Sequence, residues 1–257
     1  MYTLYVSKEI NSESSTGNHF STITAALDQI PDDNKEFITI RIAPGCYEEK
    51  LVINKPYLKL IGNAAKDTII TYGDYANYIM PDGKKRGTFR SYTVLIDTHD
   101  VIMENITIEN ASQPRTMAGQ AIALYADGDH LVFRSCRLMG NQDTLFTGPL
   151  PPAPLEPDGF TGPKEFSPRI NGRQLYESCY ICGDIDFIFG SATAYFHTCQ
   201  IESLNNGIVS YDNFNNPIYG FITAASTPEG QNYGYIFDNC RFTSKNCPAG
   251  SIYLGRP

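Results

Sequence analysis

The 257-residue chain lacks the features that mark several large functional classes. It has no excess of positive charge: 20 Lys and Arg stand against 28 Asp and Glu, a formal net charge of −8. Tracking nucleic-acid phosphates or anionic lipid draws on a basic surface. No nucleic-acid or membrane partner is therefore expected, although a local basic cluster could still meet an acidic polymer. No apolar run approaches the roughly 20 residues needed to cross a bilayer. Residues 1–9 show no basic stretch leading into an apolar one, so the expected home is cytoplasmic or, with a leader removed, secreted. There is no Gly-x-Ser-x-Gly, which leaves a serine-esterase elbow unsupported. The four His (His19, His99, His130, His197) are scattered without metal-ligand spacing, and no metal or cofactor is expected.

Cysteine is present but unpaired in pattern. Seven Cys make an odd count with no regular framework. Cys179 and Cys182 have dithiol spacing, yet no second pair or His accompanies them, so both read as structural thiols. A second helical pattern is also missing. The one that occurs places Ile23, Ala26, Leu27 and Ile30 on one face, starts at Ser21 or Thr22, and stops at Pro31. It reads as a helix capping one end of the core, following a polar loop at 11–18.

After that helix the hydrophobic period is two. Short strands are expected at 37–42, 51–53, 57–61, 68–71 and 92–96, with a longer polar loop at 72–90. One phrase then recurs. Its copies are Ile102-Met-Glu-Asn-Ile106, Val132-Phe-Arg-Ser-Cys136, Leu175-Tyr-Glu-Ser-Cys179, Tyr195-Phe-His-Thr-Cys199 and Ile236-Phe-Asp-Asn-Cys240. Four Cys thus share one repeat position, as small buried hydrophobes would. The intervals of 20 and 41 residues fit one and two turns of a solenoid. The interval of 43 fits one turn carrying an insertion at 147–169 that reaches over the neighbouring groove. The expected fold is all-β, a parallel β-helix whose coils stack roughly 4.8 Å apart. A β-sandwich is the alternative.

Two copies carry an Asp seven residues after the Cys: Asp143 after Cys136 and Asp186 after Cys179. On successive coils these carboxylates would be stacked neighbours. Two nearby Asp do not both ionise cheaply, so one pKa is expected to rise while the other is held down. Such a split supplies a protonated acid beside an ionised nucleophile or base. Asp184, two residues before Asp186, is expected on the same strand face and to perturb it.

The motifs Gly45-Cys-Tyr47-Glu-Glu, Gly119-Gln120-Ala-Ile-Ala-Leu, Gly140-Asn-Gln142-Asp143-Thr-Leu-Phe, Asp186-Phe-Ile-Phe-Gly190 and Leu254-Gly-Arg256-Pro257 resemble the pectin methylesterase (pectinesterase) family. They fall in the family's order across about residues 20–257. The resemblance implies a right-handed parallel β-helix and a carboxylic ester hydrolase acting, without cofactor, on methyl-esterified pectin or oligogalacturonides. It implies Asp186 as nucleophile and Asp143 as acid and then base. Gln142, with Gln120, would donate to the oxyanion, Arg256 would orient Asp186, and Thr88 and Phe189 would contact sugar. Family members continue past Arg-Pro with a Trp and further coils. Residues 1–257 therefore read as one pectinesterase-like domain without the family's C-terminal end, taken as a monomer.

Three other readings compete. Paired carboxylates on such a solenoid also suit a glycoside hydrolase on polygalacturonate. A calcium-dependent lyase would need an Asp ligand cluster beside a basic residue, which the sequence does not offer. A carbohydrate-binding β-helix without catalysis is the non-enzyme alternative.

Overall fold

The computed structural model describes residues 2–9, 17–154, 156–207 and 209–256; most of the polar loop at 11–18, and Pro257, fall outside them. Within them the chain winds into a parallel β-helix. Its three long sheets have nine, seven and seven strands, and each strand inside a sheet pairs in parallel with the coil before and the coil after. The β-sandwich alternative, which needs antiparallel sheets, is excluded. One complete coil reads Leu131–Arg134, Arg137–Met139 and Leu145–Thr147; the next reads Arg173–Glu177, Tyr180–Gly183 and Ile185–Gly190.

Alternation turns every second side chain inward, and parallel pairing stacks it on its counterpart one coil away. The first sheet thereby builds a column from Leu4 through Ile40, Leu60, Met103, Phe133, Tyr176 and Phe196 to Phe237. Its last four rings lie with centroids 4.8, 4.7 and 4.7 Å apart. In the second sheet Ile70, Ile108, Leu138, Ile181 and Ile201 do the same, all fully buried. This in-register stacking of large apolar groups is the main source of the solenoid's stability.

The repeated Cys sit at the corner leaving the first sheet. Cys136, Cys179, Cys199 and Cys240 each direct Sγ at a main-chain carbonyl of the preceding coil, at 3.2–3.4 Å. All seven thiols are free. The 41-residue interval is a correction to the sequence reading. Gln200 pairs directly with Arg241, so Cys199 and Cys240 lie on adjacent coils. The extra residues are held in two longer connections, around 205–219 and 226–234, that the spacing alone counts as a whole turn.

The capping helix spans Ile23–Leu27, shorter than its periodicity predicts, with the Thr22 side chain accepting from Ala25 N–H. Glu49 clamps its first turn, its carboxylate accepting from the N–H groups of Ile23 and Thr24, both at 2.9 Å. That assigns the Gly45-to-Glu49 motif a structural role: it fastens the plug over the first coil. The insertion covers the outer face of the third sheet. Leu150 and Phe160 join Phe89 over Tyr125, Phe146 and Phe189, and Lys164 reaches the carboxylates of Asp97 and Asp127.

Candidate active site: a carboxylate pair at one corner

The corner entering the third sheet differs from coil to coil, and on two of them it carries aspartate. Leu145 pairs with Ile188 and Phe146 with Phe189, so Asp143 and Asp186, each two residues before those leucine and isoleucine positions, occupy one place on neighbouring coils. The Asp143 N–H donates to Ile185 O at 3.1 Å, tying the corners together. Both residues have positive φ, 65° and 50°, a left-handed conformation that Asp adopts more readily than most. Both are nearly buried, at 7% and 5% exposure.

Asp186 lies where the pairing register shifts, between Ile185 and Ile188, against the following strand Gly220–Ala225. This irregularity breaks simple alternation. Asp184 precedes the strand and does not share a regular face with Asp186, contrary to the sequence expectation. It faces Arg115 instead.

Arg256 grips Asp186 with both arms: Nε donates to Oδ1 at 2.9 Å and Nη2 donates to Oδ2. A planar fork of this kind fixes carboxylate orientation as well as charge. The guanidinium also lies over the Phe221 ring, 5.4 Å from its centroid. No comparable clamp reaches Asp143 among the described residues.

Electrostatics follows from this asymmetry. Burial pushes the Asp143 carboxyl well above the ordinary range, and the charge of Asp186 pushes it further. Burial also raises Asp186, against the hydrogen bond and charge of Arg256, which pull it down; Asp184 adds the smallest upward push. The expectation that one member would be held low is thus corrected. Desolvation lifts both, and the arginine separates them by restraining only its own partner. Asp143 is the member that keeps its proton.

Gln142 precedes Asp143 and is half-buried, with Oε1 accepting from Arg115 Nη2 at 3.1 Å. Gln120 lies on the preceding coil beside it, since the next residue's N–H, that of Ala121, donates to Gln142 O at 3.1 Å. Phe189, three residues beyond Asp186, packs on Phe146 with ring centroids 4.8 Å apart and planes tilted by 53°. Thr88 opens a short 3-10 turn, Thr88–Arg90, and Phe89 next to it packs on Phe146 at 5.1 Å. The structure therefore gathers Asp143, Asp186, Gln142, Gln120 and Arg256 around one corner, with Phe189 on its flank. Thr88 belongs to the 73–93 connection and makes no hydrogen bond to the pair among the described residues.

Sequence reasoning missed the polar network behind this corner. Arg115, on the short helix Arg115–Ala118, donates Nε and Nη2 to the two Asp184 oxygens at 2.6 and 3.1 Å. Asp184 also accepts from the Ile185 N–H and from Asn206 Nδ2, which donates in turn to Asn141 Oδ1. A signal existed: a carboxylate inside Cys-Gly-Asp-Ile-Asp-Phe needs a buried cation. Nothing in the spacing says which one.

Fold and site together define a class: a parallel β-helix with paired, buried acid groups on adjacent coils, one of them clamped by arginine. The Pectinesterase family model matches residues 10–149 and 169–257, and the chain belongs to that family. The internal unmatched stretch lies within the insertion. Pectinesterase QRT1 of Arabidopsis thaliana is 34% identical over 247 residues, covering 93% of this chain and 55% of that protein. Pectinesterase A of Dickeya dadantii is 32% identical over 264 residues, covering 96% and 65%. The chain thus spans about half to two thirds of the length of these relatives. Pectin methylesterase PemA from Erwinia chrysanthemi superposes with a TM-score of 0.80 at 31% identity, covering all of this chain and 71% of that one. Carrot pectin methylesterase gives 0.74 at 25%, covering 99% and 68%. The fold is the right-handed parallel β-helix of those structures.

Proposed function

We propose that the chain hydrolyses methyl esters of galacturonate units in pectin or pectic oligosaccharides, releasing methanol and leaving free carboxylates. The observation that carries this reading is the asymmetric pair: Asp143 and Asp186 in one register position, with Arg256 on Asp186 alone. The ionised Asp186 oxygen attacks the ester carbonyl, whose electrons move onto a tetrahedral oxyanion. Gln142 and Gln120 donate to that oxyanion. As it collapses, the bond to methoxide breaks and Asp143 delivers the proton that makes methanol. Asp143, now charged, takes a proton from water; the hydroxide cleaves the acyl-enzyme, frees Asp186 and restores Asp143. Named side chains carry every step, all from one chain, so the proposed working unit is the monomer. One related structure is a pectin methylesterase in complex with a hexasaccharide, which supports a pectic ligand.

A local basic cluster supports the acidic polymer as partner despite the net charge. Lys84, Lys85, Arg86 and Arg90, the third paired with Asp74, outnumber Asp82 and Asp158 in the lining of a hollow of about 600 Å³ that Pro157, Asp158 and Thr161 of the insertion border. Carboxylates already freed along the polymer would find compensation there, so the insertion is proposed to bias which methylation pattern is accepted.

The test is methanol release from methylated pectin by wild type and by Asp186→Ala. The reading requires a loss on the order of 10⁴–10⁶ in the variant, as for other deleted nucleophiles. Equal rates would remove Asp186 from the reaction. New reducing ends without methanol would replace esterase with glycoside hydrolase.

A further inference from the structure

We propose that Arg115 is a positioning residue for the reaction: it locks the Gln142 amide with its oxygen turned away from the substrate and its N–H groups turned toward it. The inference rests on the ester-hydrolase reading and adds a residue which that reading does not contain.

The argument starts from donor chemistry. A guanidinium only donates, so the Gln142 atom facing Arg115 must be the carbonyl oxygen. The bond measures 3.1 Å from Nη2 to Oε1. Once that oxygen is engaged, Nε2 is directed to the other side of the amide, where its two hydrogens serve a developing oxyanion. A free glutamine amide lacks this discipline, because turning its terminal group by half a revolution would present an acceptor to the oxyanion and repel it.

Arg115 can impose the orientation because it is itself immobilised. Its side chain is 8% exposed and its fork is spent on Asp184, through Nε and the same Nη2 that reaches Gln142. Asp184 is fixed in turn by the Ile185 N–H at 2.6 Å and by Asn206 Nδ2 at 3.1 Å. Asn206 also donates to Asn141, the residue before Gln142, at 2.9 Å. The network closes a ring of side chains across four successive coils, from Arg115 through Asn141 and Gln142 and Asp184 to Asn206. It therefore holds both the Gln142 amide and the segment leading into Asp186.

At Asp186 the ion pair is felt only as the small upward push of Asp184, and at Asp143 its two members act against each other. Arg115 pulls the Asp143 proton affinity down while Asp184 pushes it up. What remains is geometry, which separates this role from that of Arg256, whose charge acts on Asp186 directly.

The experiment is a double-mutant cycle in the full chain, measuring kcat and KM for methanol release. Arg115→Lys keeps the positive charge opposite Asp184 but loses the planar fork that serves two acceptors at once. It is expected to lower kcat about 10- to 100-fold with KM within about twofold, less than the 10²–10³ typical of removing one oxyanion donor. Gln142→Ala is expected to show that full loss. In the Gln142→Ala background, Arg115→Lys should change kcat by less than about twofold, because the amide it positions is gone. The limbs of the pH–rate profile should stay in place. Asp184→Asn, which frees the fork while preserving volume, provides a second route to the same coupling if the lysine variant fails to fold. Gln142→Glu keeps the acceptor for Arg115 but has no N–H, and should be as slow as Gln142→Ala with undiminished thermal stability. Equal losses from Arg115→Lys in both backgrounds, or no loss in the wild-type background, would overturn the positioning role. An unchanged kcat in Gln142→Ala would instead overturn the oxyanion assignment beneath it.

Discussion

Two corners of the same coil obey opposite rules. At the corner leaving the first sheet, Asn105, Ser135, Ser178, Thr198 and Asn239 all adopt φ between 49° and 57°, and each is followed by Ile106 or one of the stacked Cys. The N–H groups of Asn105, Ser135, Ser178 and Thr198 donate to carbonyls of the following coil at 2.9–3.1 Å. At the corner entering the third sheet nothing repeats for long: a 3-10 turn stands on one coil, a short helix on the next, then Asp143, then Asp186. The first corner is a structural hinge copied from turn to turn. The second is where the copies diverge, and the candidate chemistry lies in the divergence. In a solenoid each coil is held chiefly by its neighbours, so one corner can vary while another stays fixed.

That contrast can be broken most forcefully at Arg256. Replacing it with Gln should lower the rate of methanol release about 10- to 100-fold by loosening the nucleophile, an effect of the size seen when a residue supporting a reacting group is lost. It should also displace the whole pH–rate bell. Arg256 lowers the proton affinity of Asp186 and of Asp143 alike. Without it both groups ionise at higher pH, so both limbs move upward; limbs that stay put would separate Arg256 from the pair.

The repeated corner should respond in the other currency, stability. Cys179→Ala empties part of a packed column and should cost about 1–2 kcal/mol. For a chain of this size that lowers Tm by roughly 2–8 °C, with kcat unchanged within twofold. A large kcat loss there would erase the division between the two corners.

Asp143→Asn sharpens the comparison from the opposite side. The folded-state pKa of Asp143 lies above its unfolded value, so between the two the native chain holds the extra proton. Stability therefore falls as pH rises through that window. The Asn variant, with no proton to lose, should be inactive yet melt a few degrees above wild type at pH 8. The gap should close towards pH 4, near the unfolded value. Differential scanning calorimetry at the two pH values reads this directly.

Much of the fold was legible because a solenoid writes its structure locally: the period-two strands and the Cys phrase each report one coil. The Asp pair was legible for the same reason, since a shared offset from Cys136 and Cys179 becomes a shared position in space. The interval from Cys199 to Cys240 misled because residue count measures loops and coils together. Arg115 was invisible because it meets Asp184 across 69 residues of sequence, and no local pattern records that contact. The upward push on Asp186 was missed because desolvation depends on how many neighbours surround a carboxyl, which only the folded chain decides.

The central claim is that burial and register together make Asp143 retain its proton while Asp186, under Arg256, gives its proton up first. Carbon-13 NMR titration of aspartate carboxyls in wild type and Asp143→Asn tests it without any substrate. Burial also lifts Asp186 and Asp127, so the mark of Asp143 is one high-titrating resonance of the wild type that is missing from the variant. The same set of high-titrating carboxyls in wild type and in Asp143→Asn would contradict the account.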